Sequence, residues 1–195
     1  METYLGANIK KHKAKLDLSS IHLNGSQTLV IRGGEAFTYQ KRKHAKTCNS
    51  LFITDKNGIP LVISEPIGGN HHDLFEIKKC MTKLFEDLKA LSLNIEGLFL
   101  NTDAGFDAQE FRNICESQAI FANVKLNKRN AQVLDREVFI IPELYQERFV
   151  IERVNAWIDA FKNLIIRYET KKHTWKSFHY IAFMITFFRN KKMTF

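Results

Sequence analysis

The sequence predicts an α/β domain with a mixed β-sheet flanked by helices, and three observations support this class. First, 45% of the 195 residues are apolar, which is enough for one domain with a sizeable core. Second, strand-like runs and amphipathic stretches follow one another in the order strands, helix, strand, helix, strand and helices. Third, no repeat or Pro/Gly-rich linker divides the chain, so we expect a single domain.

Short apolar runs rich in β-branched and aromatic residues predict the strands. Four of them lie early in the chain, at residues 19–24, 28–31, 48–54 and 61–64. Turn chemistry at residues 55–58 (DKNG) predicts a hairpin between the last two. Three later strands are predicted at residues 97–102, 119–124 and 137–141.

Helical periodicity and capping signals predict the helices. Asp73 with Glu76, and Asp107 with Glu110, have the spacing of a capping box and predict two helix starts. The four predicted helices cover residues 74–91, 108–117, 143–168 and 174–189. Residues 1–15 are expected to be a frayed basic lead-in, and residues 191–195 a tail.

Charge and composition narrow the class of partner and the compartment. The net charge of +8 and the pI of about 9.4 favour a polyanion such as nucleic acid, or an anionic membrane surface. The three cysteines form no C-x-x-C pair, so we expect a reduced, cytoplasmic setting and no zinc ribbon. The most apolar tract, residues 178–188, is too short to span a bilayer, and no signal peptide is evident.

Two acidic positions suggest chemistry. Tyr145, Arg148 and Glu152 have the spacing Y-x2-R-x3-E within the predicted third helix, and at about 100° per residue they share one face. Asp103 ends the apolar run GLFLNTD. Together these carboxylates suggest a metal-dependent site for phosphoryl transfer, although Asp103 could be a strand-end turn residue and Glu152 part of a surface ion pair with Arg148.

In this order and spacing, the motifs resemble the catalytic domain of DDE transposases from bacterial insertion sequences, in the group marked by Y-x2-R-x3-E. The resemblance covers a domain of residues 16–190. It is carried by GGEAFTYQKRKHAKTCNSLFITDKNGIPL, EPIGGNHHDLFEI, LFLNTDAGFDAQEFR, NVKLNKRN and LYQERFVIERVNAWIDAFKNLIIRYE.

The resemblance implies an RNase-H-like fold and two divalent cations, Mg²⁺ or Mn²⁺, held by three carboxylates. Such cations prefer carboxylate oxygens and can activate a water or a 3′-hydroxyl for attack on phosphorus. Asp103 matches the second carboxylate and Glu152 the third. Tyr145 and Arg148 match the signature residues, with Arg148 expected to contact a phosphate or to orient Glu152.

The first carboxylate departs from the family pattern. Related sequences have a strand that ends in D-G-S-H-T, whereas this chain has N-G-S-Q-T from Asn24. Asn24 therefore stands at the first metal position, where an amide oxygen can bind a cation but brings no charge. Asp17, seven residues earlier, is the alternative for this role.

Other departures concern DNA contacts and the amino terminus. Asp159 stands where related enzymes often have Lys or Arg, and only a short segment precedes the first strand, so we expect an N-terminally truncated copy. Histidines at 71 and 72 invite a metal-site reading, which the capping role of Asp73 disfavours. Candidate contacts to DNA, which could equally be solvated charges, are Arg42, Lys43, Lys125, Lys128, Arg129 and Lys162.

The leading hypothesis is thus a weakened or inactive insertion-sequence transposase in the bacterial cytoplasm. Its partners would be DNA at terminal repeats and target sites, and it could form a homodimer or assemble with an intact transposase. The alternatives are a non-catalytic DNA-binding or dimerising remnant, and a hydrolase of another RNase-H-like branch.

Overall fold

The structure, a computed structural model, describes residues 2–127, 140–147 and 149–192. The strands in this part of the chain are β1 (Ile21–Val30), β2 (Thr38–Gln40), β3 (Ala45–Asp55), β4 (Pro60–Ile63), β5 (Ile67–Gly68), β6 (Phe99–Thr102), β7 (Phe121–Val124) and β8 (Ile166–Arg167). The helices are α1 (Glu2–Lys11), α2 (Ile77–Ala90), α3 (Gln109–Glu116), α4 (Pro142–Gln146), α5 (Phe149–Asp159), α6 (Lys162–Ile165) and α7 (Lys172–Lys192).

The strands form one mixed sheet, which confirms the predicted fold class. Its central order is β2-β3-β1-β6-β7; β4 and β5 also pair with β3, and β8 pairs with β1. β1 is antiparallel to β3 but parallel to β6, and β6 is parallel to β7. The parallel strands therefore end at the same edge of the sheet, which is where ligands bind in many α/β proteins.

Helices cover the sheet and complete the hydrophobic core. α2 and α7 contact β4, α5 contacts β1, and α4 contacts β6 and β7. The core contains fully buried side chains from the sheet and from both long helices, such as Phe52, Met81 and Phe183. Burying such side chains is the main favourable contribution to folding.

The hairpin at residues 55–58 and the predicted strands near β3, β4, β6 and β7 are present. β1 is one strand instead of the two predicted, because its pairing with β3 continues without interruption from Ile21 to Leu29. The strand predicted at residues 137–141 lies mostly outside the described residues, and residues 140–141 are not in a strand.

The predicted capping role of Asp73 is wrong. α2 begins at Ile77, with Glu76 at the N-cap in a left-handed conformation (φ 49°) and no side-chain cap bond. The carboxylate of Asp73 instead accepts a hydrogen bond of 2.6 Å from Asn49 Nδ2. The capping-box spacing is local, and here a contact with a distant strand prevails over it.

The single helix predicted at residues 143–168 is also wrong, because the structure contains α4, α5 and α6 followed by β8. Ile166 and Arg167 pair with Leu29 and Val30 at the end of β1. Thr28 Oγ1 donates to the carbonyl oxygen of Leu164. β-branched residues suit such pairing, so the helix ends where β1 offers a partner.

Residues 2–11 form α1 and are not the frayed lead-in that we expected. Leu5 and Ile9 lie one helical turn apart and are 1% and 0% exposed, and α1 contacts α7. The helix is held by its buried face.

Within the ranges that the structure describes, no helix is both long and apolar enough to cross a bilayer. Cys48, Cys80 and Cys115 are all free.

Candidate active site

Asn24 and Asp103 lie side by side because of the register between two parallel strands. β1 and β6 pair Ile21 with Leu100 and His22 with Asn101. Two residues further along each strand, the same register brings Asn24 next to Asp103. Both side chains are half-buried. They lie where β6 ends, at the edge of the sheet formed by the carboxyl ends of the parallel strands.

Glu152 completes the group from a helix. It lies in the first turn of α5, whose neighbouring Ile151 is buried against the core. Glu152 itself is exposed. Asn24, Asp103 and Glu152 line one small cleft of about 60 Å³, together with His22 and Asn101. The structure thus brings together three positions that are 49 to 128 residues apart in the sequence.

One side-chain oxygen of Asn24 and one of Asp103 each accept a hydrogen bond from a nearby backbone amide. Asn24 Oδ1 accepts a hydrogen bond of 2.8 Å from the Gly25 amide. Asp103 Oδ1 accepts one of 2.7 Å from the Gly105 amide, which fixes the side chain at the start of a turn. The Oδ2 atom of Asp103 takes no part in this turn.

Two polar side chains in the cleft are buried to an unusual extent. His22 and Asn101 are each only 1% exposed. Both ring nitrogens of His22, and Nδ2 of Asn101, have no hydrogen-bond partner among the described residues. Burial lowers the pKa of His22 to about 4; nearby, Glu147 raises this pKa and Lys56 lowers it. The imidazole is therefore neutral at pH 7.

His22 was not selected from the sequence as a site residue, although its position in the sequence indicates one. It lies two residues before Asn24 on a strand, so both side chains point to the same face of the sheet.

The structure places Asp17 elsewhere. Asp17 precedes β1 and does not line the cleft. Its Oδ1 accepts hydrogen bonds from the backbone amide and the hydroxyl of Ser19, and these bonds hold the pKa of Asp17 below its usual value. The carboxylate thus has a local structural use before the strand begins.

The Y-x2-R-x3-E signature does not occupy one continuous helix face. Tyr145 lies in α4, which ends at Gln146 and is followed by a turn at Glu147, whereas Glu152 lies in α5, which begins at Phe149. Tyr145 is half-buried and does not line the cleft. Arg148 lies outside the described residues. Glu147, between the helices, accepts from Ser20 Oγ and pairs with Lys56 at 3.3 Å.

The candidate DNA contacts that the structure describes lie on separate elements of the fold. Arg42 and Lys43 are exposed in the turn between β2 and β3. Lys125 is exposed directly after β7, beside the end of β6. Lys162 is exposed at the start of α6. Lys128 and Arg129 lie outside the described residues.

The side-chain oxygen atoms in the cleft are of the type that binds hard cations, but they are few. Carboxylate and amide oxygens are ligands that Mg²⁺ and Mn²⁺ prefer. However, among residues 2–127, 140–147 and 149–192, no three His, Cys, Asp or Glu side chains are placed to hold one metal ion. The cleft as it stands offers the carboxylates of Asp103 and Glu152 and the neutral amide of Asn24.

These features define an α/β protein with an acidic cleft at the carboxyl ends of its parallel strands. A family model described as DDE superfamily endonuclease matches residues 17–187, so the chain belongs to this family. No curated protein is found to match the chain.

Several solved structures of Mos1 transposase have a similar chain trace at low sequence identity. The Mos1 paired-end complex with the left transposon end is 10% identical, with a TM-score of 0.41; the match covers 86% of this chain and 60% of that one. The Mos1 mariner paired-end complex with Mn is 8% identical over 84% and 60%, with a TM-score of 0.40. The catalytic domain of Mos1 mariner transposase is 10% identical over 84% and 89%, with a TM-score of 0.37. The chain thus spans about 60% of the length of the complexed transposase.

Proposed function

We propose that this chain is an RNase-H-like catalytic domain of an insertion-sequence DDE transposase, in a copy whose DNA cleavage and strand transfer are weakened or lost. Membership in the DDE superfamily endonucleases supports the reaction class. The observation that carries the proposal is the convergence of Asn24, Asp103 and Glu152 on one cleft. An aspartate at position 24 would complete a triad of carboxylates there.

In this proposal Asp103 and Glu152 bind Mg²⁺ or Mn²⁺, and Asn24 adds an amide oxygen. The bound cation would activate a water or a 3′-hydroxyl and stabilise the leaving oxygen. The chain's own residues set the position of the reaction: the Gly105 amide holds Asp103 in its turn, and α5 brings Glu152 to the edge of the sheet. Because Asn24 is neutral, the site lacks one of three negative charges and should bind cations weakly.

The polyanionic partner in this proposal is DNA, which would run along the edge of the sheet. Arg42, Lys43, Lys125 and Lys162 are exposed, and we propose that they contact phosphates. Lys128, Arg129, Arg148 and Tyr145 are proposed to act in the same way or to orient Glu152. Contacts of this type give an affinity that falls steeply with salt. We also propose that the chain works in the bacterial cytoplasm, where it forms a homodimer or assembles with an intact transposase.

The test combines cation binding with DNA nicking. We would titrate Mn²⁺ into the wild type, Asn24→Asp and Asn24→Asp/Asp103→Ala by calorimetry, and assay each for metal-dependent nicking. Tighter binding and new nicking in Asn24→Asp, both lost with Asp103→Ala, are the expected results. Asp17→Asn is the matched control and should change neither. Equal binding by the wild type and Asn24→Asp would show that Asn24 does not occupy the first metal position.

A second candidate is a DNA-binding or dimerising remnant without catalysis. It is favoured by one observation, that no three acidic, His or Cys side chains in the described residues are placed to share an ion. This candidate predicts salt-dependent DNA binding by the wild type and no nicking by any of the variants above.

A further inference from the structure

Four buried polar side chains form a row across four adjacent strands, which we call the polar row. His22 on β1 is aligned with Thr54 on β3 and with Asn101 on β6. Asn101 is aligned in turn with Asn123 on β7. All four side chains are between 0% and 3% exposed. Asn24 lies two residues beyond His22 on β1 and projects from the same face of the sheet, so the polar row adjoins the candidate site.

Hydrogen bonds satisfy only one end of the polar row. The amide of Ile141 donates to Asn123 Oδ1 at 2.9 Å, and Asn123 Nδ2 donates to the Ile141 carbonyl oxygen at 3.2 Å. These bonds fix the orientation of the Asn123 side chain. Its Nδ2 also donates to Asn101 Oδ1 at 2.8 Å, which leaves Nδ2 on the other side of the Asn101 amide.

The other end of the polar row has no such partners. Asn101 Nδ2, both ring nitrogens of His22 and Thr54 Oγ1 have no hydrogen-bond partner among the described residues. Buried polar atoms normally have partners, and leaving them without one costs folding free energy. Fold stability therefore does not account for polar side chains at these positions.

Two of these side chains offer hydrogen-bond donors to the cleft. His22 and Asn101 line it, whereas Thr54 does not. A neutral imidazole carries one N–H, which is unpartnered on whichever ring nitrogen it lies. Neighbouring strands are about 4.8 Å apart, so one oxygen atom between the two side chains can accept from both at the usual length of about 2.9 Å.

The neutral charge of both donors suits an oxygen of a phosphate. In the proposed function, the backbone of bound DNA lies against this cleft, and its non-bridging oxygens accept hydrogen bonds but cannot donate them. A lysine or arginine at position 22 or 101 would form an ion pair with the nearby carboxylate of Asp103. Neutral donors beside Asp103 and Glu152 stay available to the phosphate.

We propose that His22 and Asn101 bind a non-bridging phosphate oxygen of the DNA backbone at the base of the cleft. This inference rests on the proposed function and adds two DNA-binding residues to those selected from the family resemblance. Water is the other source of an oxygen atom at this point, and the experiment distinguishes the two.

The experiment measures binding of a fluorescently labelled DNA duplex to the full chain by anisotropy, with Mg²⁺ present to screen the carboxylates of the cleft. His22→Phe removes both ring nitrogens, His22→Leu does so with a smaller side chain, and His22→Gln supplies a neutral donor again. We expect the first two to weaken DNA binding about fivefold, as for the loss of one neutral hydrogen bond, and His22→Gln to bind like the wild type.

Thr54→Val is the matched control. It removes an equally buried and unpartnered oxygen atom from the polar row, at a position that does not line the cleft. This variant should bind DNA like the wild type. Weakening by Thr54→Val as large as that by His22→Phe would show a general effect of the polar row on folding and would overturn the inference.

Three further measurements separate a bond to phosphate from a change in charge or folding. Because the donor is neutral, His22→Phe should leave the slope of log affinity against log salt concentration unchanged, and a smaller slope would contradict the inference. In the wild type, the NMR signal of the Asn101 side-chain amide, assigned by its loss in Asn101→Asp, should shift when DNA is added. Without DNA, the Tm of His22→Phe or of His22→Leu should be no lower than that of the wild type.

The remaining outcomes identify which reasoning fails. If His22 and Asn101 hold only water, His22→Phe and His22→Leu bind DNA like the wild type and the Asn101 signal does not shift, which overturns the inference. Weak binding by His22→Gln as well as His22→Phe would overturn it too, because the shape of the ring would then matter and not its donor.

Nicking by Asn24→Asp distinguishes the inference from the proposed function. If this variant nicks DNA while His22→Phe binds DNA like the wild type, the inference fails and the proposed function stands. If His22→Phe binds about fivefold more weakly and Asn24→Asp does not nick, the inference stands and the catalytic part of the proposed function fails. If the wild type binds no DNA, both fail.

Discussion

Acidification should destabilise this protein partly through one buried histidine, His179 on α7. Its side chain is 2% exposed and packs edge-on to Trp175, with 4.1 Å between the ring centroids. Nδ1 lies 3.2 Å from the Trp175 carbonyl oxygen. Because a carbonyl oxygen only accepts, Nδ1 carries the proton and the neutral ring donates it.

The direction and size of the effect follow from the pKa. Burial lowers the pKa of His179 from 6.5 to about 4, against the raising effect of the bond to the Trp175 carbonyl. Between these values the unfolded chain binds a proton that the folded chain does not, so stability falls as the pH falls from 6.5 to 4. From pH 7 to pH 4.5 the loss of unfolding free energy from this group is about 2 kcal/mol, at about 1.4 kcal/mol per pKa unit.

The assay is urea unfolding of the wild type and His179→Phe at pH 7 and pH 4.5. Phenylalanine keeps an aromatic ring between Trp175 and Phe183 but does not titrate. The comparison uses the change in unfolding free energy with pH, so any constant difference between the proteins cancels, as do contributions from His22 and from Asp55, whose pKa burial raises to about 6. The wild type should lose about 2 kcal/mol more unfolding free energy than the variant.

His173→Gln, an exposed position in the first turn of α7, is the control and should have the wild-type pH dependence. Parallel losses in the wild type and His179→Phe would refute the reasoning, since His179 would then take up its proton equally in both states.

Three further predictions test the fold. Ile9→Ala should lower the unfolding free energy by about 2–4 kcal/mol, because Ile9 is 0% exposed. The control Tyr4→Ala, at a 70% exposed position, should have little effect. Equal stabilities of the two variants would show that α1 is not part of the core. Gly34→Ala should lower the Tm more than Gly97→Ala. Both glycines have positive φ, but only at Gly34 would a Cβ atom collide with the carbonyl oxygen of Thr170. Asp107→Asn should lower the free energy of unfolding in urea by about 3 kcal/mol, because it removes the charge of Asp107 from the ion pair with Arg112, whose N···O distance is 2.9 Å. A decrease no larger than that caused by Glu76→Gln, in an exposed pair, would contradict this prediction.

Local patterns in the sequence were sufficient where neighbouring residues decide the structure. The DKNG turn, the strands on either side of it and the amphipathic stripe of α2 all depend on residues close in sequence. The predicted capping by Asp73 and the long third helix failed because distant strands offered better partners. Asn49 on β3 donates a hydrogen bond to the carboxylate of Asp73, and the end of β1 pairs with Ile166 and Arg167 as a parallel strand.

The candidate site shows the same division. The types of residue at Asp103, Glu152 and Asn24 could be selected from motif order alone. Their meeting at one cleft depends on the parallel register of β1 and β6, which no local pattern specifies.

The bond made by Asn24 explains how the fold can persist without the expected charge, and it leads to a last prediction. Asn24 Oδ1 accepts from the Gly25 amide, and a carboxylate oxygen could make the same bond. Asn24→Asp therefore gains no hydrogen bond but adds a negative charge beside Asp103.

Without metal, this variant should be less stable than the wild type by about 1 kcal/mol, as for like charges at a partly solvated site. With Mn²⁺ the order should reverse, because a ligand that binds only the folded state stabilises it. Thermal unfolding with and without Mn²⁺ measures both. A variant that is more stable than the wild type without metal would mean that Asp103 exerts no repulsion at position 24. If the expected order is found, folding favours asparagine here and only cation binding favours aspartate, so an intact fold is no evidence of an active site.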